Sequence, residues 1–274
     1  MLSGAGKGAP LRYAPITGAR LKQIPEDSPL DDPKKRPSHY LWLCVATSGV
    51  AFLGFSFTYF LPMAAGEYPE VSPTVHFHGW TFFLWYLLLP LQAGLIRFRR
   101  GSLHRTLGKA SVLLAILMIA TGLVVIGVQM ELTRLGEAVP FWRPMGPAVF
   151  MTLVLFAGFY GLAVMYRKKR ELHKRLILLA STGALGAAGF RVLGQVIGFG
   201  PAAGISGILA PNLIIVAAIA VEIRRGDGFH PVYRWGLPAS FLLEGATILL
   251  TPTPAGQAMA TALAWVGRLL APFY

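Results

Sequence analysis

Apolar stretches long enough to cross a bilayer, about 20 residues each, alternate with short polar segments along most of the chain. The pattern predicts seven transmembrane helices, with expected ranges 40 to 62, 77 to 96, 109 to 129, 147 to 166, 175 to 197, 204 to 223 and 233 to 251. We therefore expect an all-α fold, a polytopic transmembrane helical bundle.

The basic residues are confined to a few places between these stretches. Twenty-one of the 25 Lys and Arg residues fall in the segments 1 to 39, 97 to 109, 167 to 175 and 224 to 234. Short loops rich in basic residues stay on the cytoplasmic side of a membrane. The distribution predicts a cytoplasmic N-terminus, an external C-terminus and a location in the cytoplasmic membrane.

Composition agrees with a membrane protein. Hydrophobic residues make up 54% of the chain and charged residues 14%, and the mean hydropathy is +0.57. The net charge of +13 is banded in the way expected for contact with anionic lipid head groups, so nucleic acid is not the expected partner. The single cysteine, Cys44, excludes an intrachain disulfide and a cysteine metal cluster.

Three regions of the chain differ in character. Residues 1 to 38 are polar, basic and rich in proline, which predicts a cytoplasmic arm that could dock on other subunits of a membrane complex. Residues 39 to 252 hold the seven predicted helices. Residues 253 to 274 place Trp265 and Leu269 on an apolar face, which predicts an external interfacial helix.

Each predicted cytoplasmic loop ends in a basic cluster followed by a histidine. These histidines are His104, His173 and His230, at spacings of 69 and 57 residues. The recurrence indicates three versions of one helical hairpin. If the hairpins pack around a common axis, three imidazoles converge near the inner surface, close to Glu171 and Glu222. The alternative is that each histidine serves only the end of its own helix.

The converging imidazoles define the candidate chemistry. Three histidines with a carboxylate or water suit Zn, Fe or Cu. Two opposed histidines instead suit a b-type haem. Neighbouring basic residues disfavour protonation of the rings and leave the neutral imidazole that a metal needs.

The second predicted helix opens with a further pair, His76 and His78. In an extended segment both rings would face the same way and could chelate one metal, whereas on a regular helix they would diverge by about 200°. From His78, Trp85 and Gln92 follow at intervals of seven residues. This spacing predicts a polar stripe along one face of the helix.

Charged residues also lie within the apolar stretches. Arg191 is deep in the fifth predicted helix with Gln195 one turn later, and Glu244 is deep in the seventh. An unpaired charge in lipid costs at least about 2.5 kcal/mol, so we expect Arg191 and Glu244 to face inward, toward each other. Arg191 also suits a carboxylate, a phosphate or a haem propionate as ligand.

Proline and glycine mark two helices as irregular or closely packed. Pro211 should kink the sixth predicted helix, with Asn212 satisfying a freed backbone group. The fifth carries Gly183, Gly186, Gly189 and Gly194, which permit close contact between helix backbones and suggest a central position.

A string of motifs over residues 75 to 250 resembles an uncharacterised bacterial multi-pass membrane protein family. The matching elements are HFHGW, Trp85, Gln92, LHRTLG, LHKRLILLAS and GFHPVYRWG. The resemblance implies a multi-pass α-helical protein in which these histidines are functional, and it implies no particular reaction. A looser similarity is to b-type cytochromes and haem-handling membrane proteins, although no histidine here lies well inside a predicted span.

These observations favour a membrane protein that binds a metal ion or b-type haem through histidines at helix ends and serves membrane redox or cofactor handling. Gln92, Arg191, Gln195 and Glu244 are the accompanying candidate cofactor-binding residues. An oxidoreductase activity is compatible with this hypothesis. Two alternatives are open: a non-catalytic accessory subunit of a larger membrane complex, and a small-anion transporter that uses Arg191.

Overall fold

The structure is a computed structural model that describes residues 39–137 and 141–274, so the predicted arm of residues 1 to 38 lies outside the described residues. Within the described part every regular element is helical. The α-helices are α1 His39–Phe55, α2 Leu61–Ala65, α3 Pro73–Arg97, α4 Gly101–Leu135, α5 Trp142–Met165, α6 Arg170–Gly183, α7 Gly186–Ile197, α8 Pro201–Leu209, α9 Leu213–Arg224, α10 Pro231–Leu250 and α11 Pro254–Leu270.

Several helical segments have the length and apolar composition needed to cross a membrane. In the described part of the chain these are His39–Ala65, Pro73–Arg97, Gly101–Leu135, Trp142–Met165 and Pro201–Arg224. The bent pair α6 and α7, with an angle of 50° between its halves, is a sixth if it counts as one span. The prediction of a bundle of long apolar helices is confirmed, and the count of seven stays a prediction.

The helix surfaces carry many large hydrophobic side chains. Large hydrophobic side chains stand exposed on α1, α3, α4 and α10, among them Trp42, Leu53, Leu87, Leu113 and Leu249. A soluble protein rarely exposes apolar side chains over so much of its surface. This surface fits a hydrocarbon environment.

The core lies where α1, α3, α4, α5, α6 and α10 meet. Its largest fully buried side chains include Phe156, Met118 and Tyr233. Trp85 packs edge-on against Phe156, with 5.0 Å between ring centroids. This ring contact joins α3 to α5 in the core, and Trp85 belongs to the polar stripe of α3, which therefore reaches inside the bundle.

Proline and glycine act as the sequence predicted. A short 3₁₀ turn, Ala210–Asn212, separates α8 from α9, and the Asn212 side chain donates to the carbonyl of Leu209 at 3.2 Å. The interruption of the α-helix and its local compensation by Asn212 are therefore confirmed, and the size of the kink stays a prediction. Gly189 on α7 faces Gly207 on α8 so closely that a side chain at either position would overlap the other backbone.

The C-terminal helix α11 packs lengthwise against α4. Leu263, Ala264 and Gly267 are buried in this contact, while Trp265 and Leu269 are exposed. Beyond α11, the Tyr274 hydroxyl accepts from Gln129 of α4 at 2.8 Å. The contact with α4 was not predicted from the sequence. A position of α11 at the membrane surface stays a prediction.

Helix packing supports two of the three predicted hairpins. Helices α3 and α4 lie against each other, and so do α5 and α6. Helices α9 and α10 touch only slightly, since α10 packs mainly on α5 and α6. The three-hairpin repeat therefore stays a prediction.

Candidate functional site

The starts of α4, α6 and α10 come together at one end of the bundle, which we call the basic end. There the rings of His104 and His173 lie with centroids 6.5 Å apart and planes at 87°. At the same end Arg175 contacts Glu222, and His230 lies within electrostatic reach of both. The structure brings two of the three predicted histidines into direct proximity.

The ring of His173 is held in one tautomer. Its Nδ1 lies 2.9 Å from the backbone carbonyl oxygen of Ala163. Because a carbonyl oxygen only accepts hydrogen bonds, Nδ1 must carry a proton, and in the neutral ring Nε2 is left with a free lone pair. Metal-ligating histidines commonly donate their other ring N–H to a backbone carbonyl in this way.

His104 and its neighbour Gln92 have unsatisfied polar atoms. The side-chain amide of Gln92 donates to the backbone carbonyl of His104 at 3.3 Å. The Gln92 Oε1 and the His104 Nδ1 are both buried and have no hydrogen-bond partner among the described residues. A buried polar atom without a partner is costly, so two in touching residues mark a place where a further group would bind favourably.

His230 caps the start of α10. Its Nδ1 accepts a hydrogen bond from the backbone N–H of Val232 at 3.2 Å, which caps the helix. Burial, helped by the positive charge of Arg175, lowers the pKa of His230, which matches a ring that must stay neutral to accept. The Nδ1 lone pair is thus already used.

The three-histidine cluster expected from the sequence is therefore not assembled. Across residues 39–137 and 141–274 no group of three or more His, Cys, Asp or Glu side chains is arranged to hold a metal ion. The physical reason is the cap: the His230 ring turns to its own helix instead of toward His104 and His173. The candidate site at the basic end reduces to these two histidines and Gln92.

The pair His76 and His78 does not form a chelate. Helix α3 begins at Pro73, so both histidines sit in regular helix, where positions two apart diverge. His76 Nδ1 lies 3.0 Å from the hydroxyl of Tyr59. His78 Nδ1 lies 3.0 Å from the hydroxyl of Thr121 on α4. The two rings face different neighbours.

The polar stripe on α3 turns into the bundle. Below His78, the indole of Trp85 donates to the hydroxyl of Ser181 on α6 at 3.1 Å. The adjacent Tyr86 donates to the Ser181 carbonyl at 2.8 Å, and Gln92 reaches His104. The stripe therefore joins α3 to α4 and α6 through interior hydrogen bonds. Ser181 was not singled out from the sequence.

Arg191 and Glu244 do not face each other, so that expectation is wrong. Glu244 is buried, and its carboxylate accepts from the Asn212 side chain at 2.7 Å. Arg191 is half-buried on α7, with its guanidinium 4.3 Å from the ring centroid of Phe55 on α1. The reason is packing: α7 lies against α1 and α8, whereas α10 lies against α5 and α6. Gln195 is exposed.

A buried ion pair at the basic end was missed. Arg175 and Glu222 are 3% and 0% exposed, and the Arg175 Nη2 lies 2.9 Å from Glu222 Oε2. Tyr40 donates to Glu222 Oε1 at 2.6 Å, and its hydroxyl lies 2.9 Å from that of Tyr233. The network joins α1, α6, α9 and α10. The signal in the sequence was the position of Arg175 directly before the apolar run LILLAS.

Comparison with known proteins gave no match: no family model, no curated protein and no solved structure is similar to the chain. The motif resemblance therefore stays an expectation. The function proposed below depends on the residues and contacts of the chain itself.

Proposed function

We propose that the chain is a multi-pass protein of the bacterial cytoplasmic membrane, with seven spans, the basic end in the cytoplasm and the C-terminus outside. Five apolar helices and the bent pair α6 and α7 support six of these spans. Helix α10, with 20 residues, is about 30 Å long, which matches the hydrocarbon thickness of a bilayer. The clustered Lys and Arg residues support the orientation.

This topology has a direct test. A reporter that is active only in the cytoplasm is fused after Tyr274, and we expect it to be silent because an odd number of spans carries the C-terminus outside. The same reporter fused after Lys168, in the loop between α5 and α6, is the matched control and should be active. Cytoplasmic activity after Tyr274 would contradict seven spans.

We further propose that the protein binds a transition metal, as a free ion or as haem iron, through His104 and His173. The observation that carries this proposal is the pair of perpendicular imidazoles at 6.5 Å. Nitrogen–metal bonds of about 2.0 to 2.1 Å put two rings on opposite sides of one metal with centroids roughly 6 Å apart. The fixed tautomer of His173 and the unpartnered Nδ1 of His104 support the same site.

The donor set limits the choice of metal. Imidazole nitrogen suits Zn, Cu and Fe, and two opposed histidines are a common axial pair for b-type haem. Two protein ligands leave other coordination positions for a porphyrin or a small molecule. Such a site in a membrane bundle serves membrane redox chemistry or cofactor handling.

The proposal predicts a measurable cofactor. The full chain, purified in neutral detergent, is expected to carry a transition metal by elemental analysis, and a Soret band if the metal is haem iron. His104→Ala and His173→Ala should each lower the bound amount at least about tenfold, since each removes a direct ligand and even outer partners of metal ligands matter by that factor.

Two further variants sharpen the result. His230→Asn keeps a capping side chain on α10 and should retain the metal. Loss of metal from this variant would instead support the hypothesis that all three histidines bind it. His76→Gln, in the first turns of α3 beside Tyr59, should also retain it. Full retention in both His104→Ala and His173→Ala would contradict the proposal. Absence of any metal from the parent would favour the accessory-subunit hypothesis.

A further inference from the structure

Arg191 lies on the apolar helix α7 and forms no ion pair within the described residues. Its Nη1 donates to the carbonyl of Ala187, one turn earlier on α7, at 2.9 Å. A guanidinium has five N–H donors, so one hydrogen bond leaves most of its donor capacity unused. The ring of Phe55 covers the group at 4.3 Å and offers an apolar face instead of an acceptor.

No carboxylate compensates this charge within the described residues. The acidic groups there that form ion pairs are Glu131, Glu171 and Glu222, and none of them pairs with Arg191. Glu244 is bound to Asn212. The titratable neighbours within electrostatic reach of Arg191 are Tyr68 and His78, a phenol and an imidazole. Neither carries negative charge at neutral pH.

A cation in an apolar helix is costly and usually marks a functional site. The fork of N–H groups on a guanidinium matches the oxygens of a carboxylate or a phosphate. We propose that Arg191, with Phe55, Tyr68 and His78 beside it, binds the carboxylate or phosphate head group of an amphiphilic anion. The site is separate from the histidine pair at the basic end and does not depend on the function proposed above.

The residues at the end of α7 indicate that the bound anion has an apolar tail. One turn beyond Arg191, Gln195 is exposed and can donate an amide N–H to the same head group. The end of α7 and the loop after it expose Val196, Ile197 and Phe199. These side chains follow Arg191 within about two helical turns along the chain. A hydrocarbon chain that extends from a head group at Arg191 along the end of α7 would reach them.

The test uses the full chain purified in neutral maltoside detergent. The probes are dodecanoate, which supplies a free carboxylate, and phosphatidylglycerol added to the micelles, which supplies a lipid phosphate. Binding is followed by the probe-dependent rise in the unfolding temperature and by native mass spectrometry. We expect saturable binding of at least one probe; dodecanoate alone identifies a free acid as ligand, and phosphatidylglycerol alone identifies a membrane lipid.

Variants at Arg191 separate recognition from folding. Arg191→Gln should weaken binding by about tenfold or more, because charge-assisted hydrogen bonds are lost, while its unfolding temperature without probe should not fall. Arg191→Lys keeps the charge without the fork and should bind with intermediate affinity. The control is Arg143→Gln at an exposed arginine, which should bind as the parent does. Absence of binding by both probes, or equal binding by parent and Arg191→Gln, would overturn the proposal.

Discussion

Replacing Glu222 by alanine is expected to lower the free energy of unfolding by about 3 to 5 kcal/mol, the usual effect of removing one partner from a buried ion pair. Arg175 is 3% exposed and would lose the buried carboxylate that accepts from its Nε and Nη2. Among the carboxylates of the described residues, only the exposed one of Glu171, 2.7 Å from Nη1, would remain as its partner. The hydroxyl of Tyr40 would lose its acceptor as well. Equilibrium unfolding in mixed micelles measures the change.

The double variant Arg175→Met, Glu222→Leu tests whether the loss in Glu222→Ala comes from the buried charge of Arg175. It should be less damaging than Glu222→Ala alone, because the buried guanidinium is removed together with its buried partner. Arg134→Ala is the control, since Arg134 forms an exposed ion pair with Glu131 on the same helix and should change stability little. If the losses measured for the single variants Arg175→Met and Glu222→Leu simply add in the double variant, Arg175 and Glu222 are not coupled.

Replacing Gly267 by alanine is expected to separate α11 from α4. The two helices touch backbone to backbone at Gly267 and Gly127, and a Cβ on Gly267 would overlap the carbonyl oxygen of Gly127. Neither the added Cβ nor the carbonyl oxygen of Gly127 can move without its backbone, so one of the two helices must shift. We expect a loss of about 1 to 3 kcal/mol, as in other overpacked contacts, measured by the same unfolding titration and by hydrogen exchange along α11.

Gly245→Ala is the matched control for Gly267→Ala. Gly245 lies inside α10, and a Cβ added there meets no atom within 4 Å. Alanine is the better helix former, so this variant should be neutral or more stable by about 0.5 to 1 kcal/mol. Equal stability of the two variants would show that α11 does not pack on α4 as described.

The helical content and the interior face of α3 could be predicted from the sequence. Trp85 and Gln92 follow His78 at intervals of seven residues, and the structure turns that face toward α4 and α6. Pro211 and Asn212 were likewise sufficient to predict the break between α8 and α9. These predictions succeed because helix periodicity and proline geometry act between residues that are close in the chain.

The partners of the charged side chains could not be predicted in the same way. Arg175 and Glu222 are separated by 47 residues, and Glu244 and Asn212 by 32. Depth in an apolar stretch suggested that Arg191 would pair with Glu244, yet α7 and α10 pack on different helices. Which residues meet depends on how whole helices pack, and the position of a residue within its own helix does not contain that information.

The histidines of the basic loops also show the difference between what local sequence predicts and what helix packing determines. The order of residues by itself determined that a histidine follows each basic cluster at a helix start, because motif and helix boundary are both local features. Only the tertiary structure decided that His104 and His173 lie together while His230 caps α10. A neutral imidazole has one lone pair, so a backbone N–H of its own helix and a shared metal compete for it, and the packing of α10 determines which of them it serves.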